Sequence, residues 1–235
     1  PTSLVLDAPL VLDQGDDLKL WKPENYGKKF YGPSTLRTGI EKSRNLMTVR
    51  VAQKVGFEKI SRITNRLGIY NDVPELLSVS LGSAETTLVQ LTNAYCTFVN
   101  GGKKVTPIFI DRIQDRRGKT IFNADKRKCL GCEEISYLNE EIPTIQDDRE
   151  QIISPATAYQ ITSMLEGVVK RGTGRNLRGL KLTLAGKTGT TNKNMDAWFL
   201  GFTSKIVIGV YVGFDEPASL GKYETGAKAA LPIFK

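Results

Sequence analysis

The sequence predicts an α+β fold in which a series of helices precedes an antiparallel sheet. Apolar residues recur at helical spacing from Leu36 to Val99 and again from Ala158 to Val168. Apolar, β-branched runs then fill residues 180–188, 197–203 and 206–214, with a polar turn after the first. A last short helix, capped by Thr225, is expected to pack on that sheet.

In chain order, residues 1–33 read as irregular with short strands, punctuated by Asp, Pro and Gly. Trp21, Tyr26, Phe30 and Tyr31 are expected either to cover a cleft or simply to pack. Ser34 is a candidate N-cap for a helix carrying Leu36 and Ile40. After Ser43-Arg44-Asn45 the helical period resumes with Val49, Ala52 and Val55 up to Gly56, then with Phe57, Ile60, Ile63 and Leu67 up to Gly68. Leu88, Leu91, Tyr95, Phe98 and Val99 form another stripe, closed by Gly101-Gly102. Residues 105–122 change period and predict a hairpin around Asp115-Arg116-Arg117-Gly118. Residues 123–151 are polar and charged, an expected exposed connection. Ser154-Pro155 is a helix start, and Gly172-Thr173-Gly174 its end. The chain thus divides into a mainly helical portion, 1–174, and a sheet portion with the start of the last helix, 175–235.

The net charge is +8, densest between Arg112 and Lys128. A solvated basic face accounts for it, although cell-wall polymers or lipid headgroups would also suit it. No nucleic-acid motif with interleaved aromatics is visible. The longest apolar stretch, Ile206 to Phe214, is too short to span a bilayer. The chain opens in mid-strand without Met or a cleavage pattern and reads as a piece of something longer, any membrane anchor lying outside it. Cys96 falls among apolar helical positions and is expected in the core. Cys129 and Cys132 form a lone C-x-x-C. Zinc would want two further ligands and a redox pair a βαβ pattern, which leaves a local disulfide in an oxidising compartment as the first reading and free thiols as the alternative.

The chemistry concentrates in Gly186-Lys187-Thr188-Gly189-Thr190-Thr191. A phosphate loop would need glycine where Lys181 stands and a helix after the motif, but a turn and a strand follow. The other reading is the K-T-G element of serine acyl transferases that act on penicillin and D-alanyl peptides. Alone, Ser43-Arg44-Asn45 would read as a cap or a local backbone partner. Beside K-T-G it reads as the S-x-N triplet. A chain with no histidine must move protons with serine and lysine. Ser43 can relay a proton, Asn45 can orient an amide, and Lys187 supplies positive charge. Gly189 lets a substrate strand come close, and Thr188 and Thr190 can bond a carboxylate.

Further motifs keep a set order: L-R-T-G-I-E-K-S-R-N at 36–45, A-Y-C-T-F-V-N-G-G at 94–102, I-S-P-A-T-A-Y at 153–159, G-V-V-K-R-G-T-G at 167–174, A-G-K-T-G-T-T-N at 185–192 and D-A-W-F-L-G-F-T at 196–203. With them the chain resembles the transpeptidase domain of class A penicillin-binding proteins, bifunctional cell-wall synthases. The resemblance implies a penicillin-binding-protein/β-lactamase-like fold, an antiparallel sheet flanked by helices. It implies D,D-transpeptidation through a serine acyl-enzyme, with no metal or cofactor; the alternatives are a non-catalytic β-lactam- or peptidoglycan-sensing module and a D,D-carboxypeptidase or β-lactamase-type hydrolase. The implied partners are D-Ala-D-Ala stem peptides, β-lactams and the rest of the parent transpeptidase domain, in an extracytoplasmic, membrane-tethered protein. Ser43 would deliver a proton to the leaving group, Asn45 would bind the substrate amide, and Lys187 would hold charge near Ser43. Thr188 and Thr190 would bind the terminal carboxylate, and the Thr190 N–H would form half an oxyanion hole.

One departure stands out. The family's nucleophilic S-x-x-K lies upstream of the D-A-P stretch, before this chain begins. The chain's own serine-to-lysine spacing of that kind, Ser219 to Lys222, follows the last strand and reads as coincidence. No nucleophile is therefore assigned within the chain, and the fold is expected to be incomplete on its N-terminal side, with a sheet edge unpaired.

Overall fold

Strand β1 (Leu4–Asp7) pairs antiparallel with β2 (Gly32–Thr35), so the N-terminal segment folds back to meet the first helix. This arrangement comes from a computed structural model describing residues 1–13, 20–127, 129–130 and 144–235. The expected Cys129–Cys132 pairing lies outside the described residues.

Helix α1 (Leu36–Lys42) is capped by Thr35, whose hydroxyl accepts from the Thr38 N–H, rather than by Ser34. Both residues stand in the ladder, Ser34 opposite Val5 and Thr35 opposite Leu4, but only Thr35 directly precedes the first helical residue, the position from which a hydroxyl reaches the N–H three residues on. Ser43 closes α1 in the left-handed conformation, φ 53 and ψ 56, and the chain turns at Arg44 into α2 (Asn45–Val55). Helix α3 (Phe57–Arg66) follows Gly56 directly. A 3-10 turn at Leu77–Leu81 precedes α4 (Leu88–Val99), which a Thr87–Gln90 capping box starts.

The predicted hairpin forms from β3 (Arg112–Gln114) and β4 (Thr120–Asn123), with Gly118 at φ 82 in the turn. The expected connection after it contains a minimal ladder, β5 (Cys129–Leu130) with β6 (Thr144–Ile145). Helix α5 (Pro155–Arg171) begins as the Ser-Pro signal implies, Ser154 accepting from the Thr157 N–H.

Strand β7 (Ala185–Thr190) starts later than residues 180–188 suggested, and Arg175–Leu180 are 3-10 instead. Ala185 already faces Phe202, the last residue of β8 (Ala197–Phe202). Among the described residues no strand pairs with the residues just upstream, and Leu182 is exposed to solvent. β9 (Val207–Val212) completes the sheet in the order β7-β8-β9. A wide π turn at Gly226–Ala230 leads into α6 (Leu231–Phe234).

Side chains alternate across this sheet with the two-residue period of extended backbone. Ala197 and Phe199 pack with Leu177, Leu184, Ala230 and Leu231 on one face. Ala185 and Phe202 pack with Leu165 and Val168 of α5 and with Tyr95 and Phe98 of α4 on the other. Phe199 is fully buried and contributes about 1.5–3 kcal/mol by leaving water. Lys187 shares the phase of Ala185 and so faces the α4–α5 side, whereas Thr188 and Thr190 share the opposite phase. Among the described residues β9 has no neighbour on its outer side. Cys96 is only half-buried rather than a full core residue.

Candidate active site

Two segments far apart in sequence meet at one hydrogen bond. Lys187 Nζ donates to Ser43 Oγ at 2.8 Å and to the Thr188 carbonyl at 2.9 Å. The sheet supplies the lysine and the α1–α2 turn supplies the serine. The left-handed backbone at Ser43 is unusual for a residue with a side chain, and packing on both sides of the turn maintains it.

On one side the N-terminal segment holds the turn. Arg44 Nη1 donates to Asp7 Oδ2 at 2.8 Å, and its guanidinium lies 3.2 Å from the centre of the Tyr31 ring. Asp7 is fully buried, and its other oxygen accepts from Asn25 Nδ2 at 2.7 Å. Asn25 in turn receives the Leu46 N–H. Asn45 is the first residue of α2, and its side-chain amide donates to the Glu24 carbonyl at 2.9 Å. Of the four aromatics left open above, Tyr31 therefore packs against the triplet itself.

Lys187 is half-buried, and burial lowers its pKa to about 8 because the charged ammonium loses water. It remains mostly protonated at neutral pH. Since Ser43 Oγ accepts from the ammonium, its own hydrogen is available to another group.

Along the strand, Thr188 Oγ1 lies 2.8 Å from Thr173 Oγ1. Two hydroxyls sharing one hydrogen bond leave one hydrogen for a further acceptor. Thr190 is exposed, and its hydroxyl oxygen accepts from the Gly226 N–H at 3.0 Å, which again leaves the hydroxyl hydrogen free. At Gly189 a Cβ would sit 3.0 Å from the Trp198 Cβ, so that any side chain there would push the tryptophan aside by a few tenths of an ångström. Thr173 was read from sequence only as part of a helix end. Its position between two glycines, directly after a helix, was the available signal.

Ser219 and Lys222 stand elsewhere. Ser219 Oγ donates to the Lys193 carbonyl and accepts from the Gly221 N–H, while the Lys222 ammonium lies over the Tyr223 ring. A cavity of about 310 Å³ lined by Phe98, Ala158, Tyr159 and Phe202 reaches β7 through Ala185. It holds none of the six predicted site residues.

Residues 3–235 match the family described as "Penicillin binding protein transpeptidase domain". The chain belongs to this family. Penicillin-binding protein 1A of Rickettsia conorii is 48% identical over 237 residues, covering 100% of this chain and 30% of that protein. The Pseudomonas aeruginosa penicillin-binding protein 1A is 38% identical over 264 residues, covering 99% of this chain and 32% of the relative. The chain thus spans about a third of the length of the curated relatives it matches. The crystal structure of penicillin-binding protein 1A from Haemophilus influenzae superposes with a TM-score of 0.84 at 31% identity, covering 99% of this chain and 38% of that one. PonA1 of Mycobacterium tuberculosis in complex with penicillin V has the same fold, with a TM-score of 0.76 at 22% identity, covering 100% of this chain and 61% of that one. The α+β architecture is that of penicillin-binding protein transpeptidase domains.

Proposed function

We propose that these 235 residues form the larger part of a D,D-transpeptidase site, completed by a nucleophilic serine from a segment outside them. The observation that carries this reading is the 2.8 Å bond between Lys187 and Ser43, which joins the K-T-G strand to the S-x-N turn.

The incoming serine hydroxyl attacks the carbonyl between the two terminal D-alanines of a stem peptide. The Thr190 N–H stabilises the oxyanion that forms. Asn45 holds the substrate amide through its side-chain carbonyl. The C–N bond then breaks, and D-alanine departs with a proton delivered by Ser43, which Lys187 keeps poised. Hydroxyl hydrogens from the Thr188–Thr173 pair and from Thr190 bind the terminal carboxylate. Attack by an amine of a neighbouring stem peptide releases the acyl group as a cross-link and restores the serine. A β-lactam amide enters the same path and stops at the acyl-enzyme. The protein acts outside the cytoplasm, tethered to the membrane by a part beyond this chain.

Fluorescent penicillin tests the reading. The longer protein is expected to label covalently, to lose labelling in Ser43→Ala, and to release D-alanine from a D-Ala-D-Ala donor faster with an acceptor amine. These 235 residues alone are expected to stay unlabelled. A correctly folded longer protein that takes no label would overturn the proposal.

A further inference from the structure

The turn carrying Ser43 is also fastened by a carboxylate that the scheme above leaves unused. Glu41 lies two residues before Ser43 and is 5% exposed. Its two oxygens accept from Arg171 at the end of α5, Nε at 3.1 Å on one and Nη2 on the other. Its backbone carbonyl accepts the Thr173 N–H at 3.2 Å. Lys42 donates to the Arg171 carbonyl, and Arg37 grips Ser163 further up α5. Thr173 is the residue whose hydroxyl meets Thr188. The contacts form a closed ring: Glu41 to Thr173, Thr173 to Thr188, then along the strand to Lys187, across to Ser43, and back along the chain to Glu41.

The helix is carved to admit this side chain. A Cβ at Gly167 would overlap the Glu41 carboxylate, and one at Gly172 would overlap its carbonyl. Buried ion pairs are poor sources of net stability, because desolvation offsets most of the attraction, but they discriminate between arrangements of the groups they join. We propose that Glu41 is a positioning residue which, through Arg171 and Thr173, sets the spacing between the Ser43 turn and the Lys187–Thr188 strand. This rests on the transpeptidase reading for its consequence, though not for its geometry.

The test uses the longer protein without substrate. With lysine side chains labelled for NMR and Lys187 assigned through Lys187→Arg, the wild-type ammonium is expected to titrate near 8. Burial alone lowers that value, so a turn that lifts away readmits water. In Glu41→Gln the midpoint is expected to rise by about one unit or more toward the ordinary lysine value. Arg171→Lys keeps the charge and loses the fork, and is expected to give a smaller rise. In the longer protein, Glu41→Gln is expected to slow the penicillin acylation step by about tenfold to a hundredfold, with initial binding nearly unchanged. An unmoved Lys187 titration in folded Glu41→Gln, whatever its melting temperature, would overturn the proposal. If that variant does not fold, an unmoved titration in Arg171→Lys does so instead. Failure of the wild-type longer protein to label would sink the transpeptidase reading while leaving the titration result on Glu41 in force.

Discussion

Two buried carboxylates bracket the Ser43-Arg44-Asn45 turn, and their surroundings differ. Asp7 is fully enclosed, and its partner Arg44 keeps only 14% of its side chain exposed. Glu41 is nearly as buried, yet its partner Arg171 is 54% exposed at the end of a helix. Asp7 ties the turn to the short ladder and loop of the N-terminal segment, whereas Glu41 ties it to α5 and thence to the K-T-G strand. A closed pair of the first kind is costly to break, since either charge left alone has no water to turn to. A half-open pair of the second kind lets its cation return to solvent, so its loss is felt more in geometry than in unfolding.

The largest expected effect tests that contrast. Asp7→Ala leaves Arg44 unpaired over Tyr31 and removes one of two acceptors from Asn25, whose amide keeps the Lys29 carbonyl. It is expected to cost about 3–5 kcal/mol in urea unfolding, clearly more than Glu41→Ala. Equal losses would erase the distinction between the two ties.

A second measurement addresses the lysine between them. The folded-state pKa of Lys187 is lowered to about 8 from 10.5. Between those values the unfolded chain holds a proton that the folded chain has released. Stability from this group therefore rises with pH across the window, and the cost of burying the charge is fully present below it. Lys187→Met is expected to abolish that rise relative to wild type, read as urea midpoints at about pH 7 and about pH 10. A parallel pH dependence in both proteins would mean that the ammonium is not desolvated.

The smallest effect sharpens the Glu41 side. Thr173→Val removes the hydroxyl that meets Thr188 but keeps the N–H donated to Glu41. Stability is expected to fall by about 0.5–1.5 kcal/mol, with penicillin labelling of the longer protein slowed. Unchanged labelling would show that Thr188 needs no partner.

The candidate site residues legible in the sequence were those with motif neighbours. Ser43, Asn45, Lys187, Thr188, Gly189 and Thr190 stand in short strings whose chemistry limits the options, and Ser43 and Lys187 do meet. Glu41 was not legible, because an acidic residue in a helix reads as solvent-facing and its partner lies 130 residues away. The antiparallel strands followed from period, and the start of α5 followed from its Ser-Pro cap, whereas Thr225 makes no side-chain cap bond. The start of β7 was misjudged because Leu182 extends an apolar run past the end of the opposing strand, where no ladder exists. Ser34 missed its cap by one position because two adjacent hydroxyl residues both suit an N-cap, and the helix starts after the second, Thr35.

The backbone angle at Ser43 carries a consequence for substitution. Threonine supplies the same hydroxyl, yet a branched β-carbon is badly tolerated at φ 53. Two chemically equivalent alcohols are therefore unequal here, and the conformation of the main chain, more than acidity or reach, decides which one can occupy the turn.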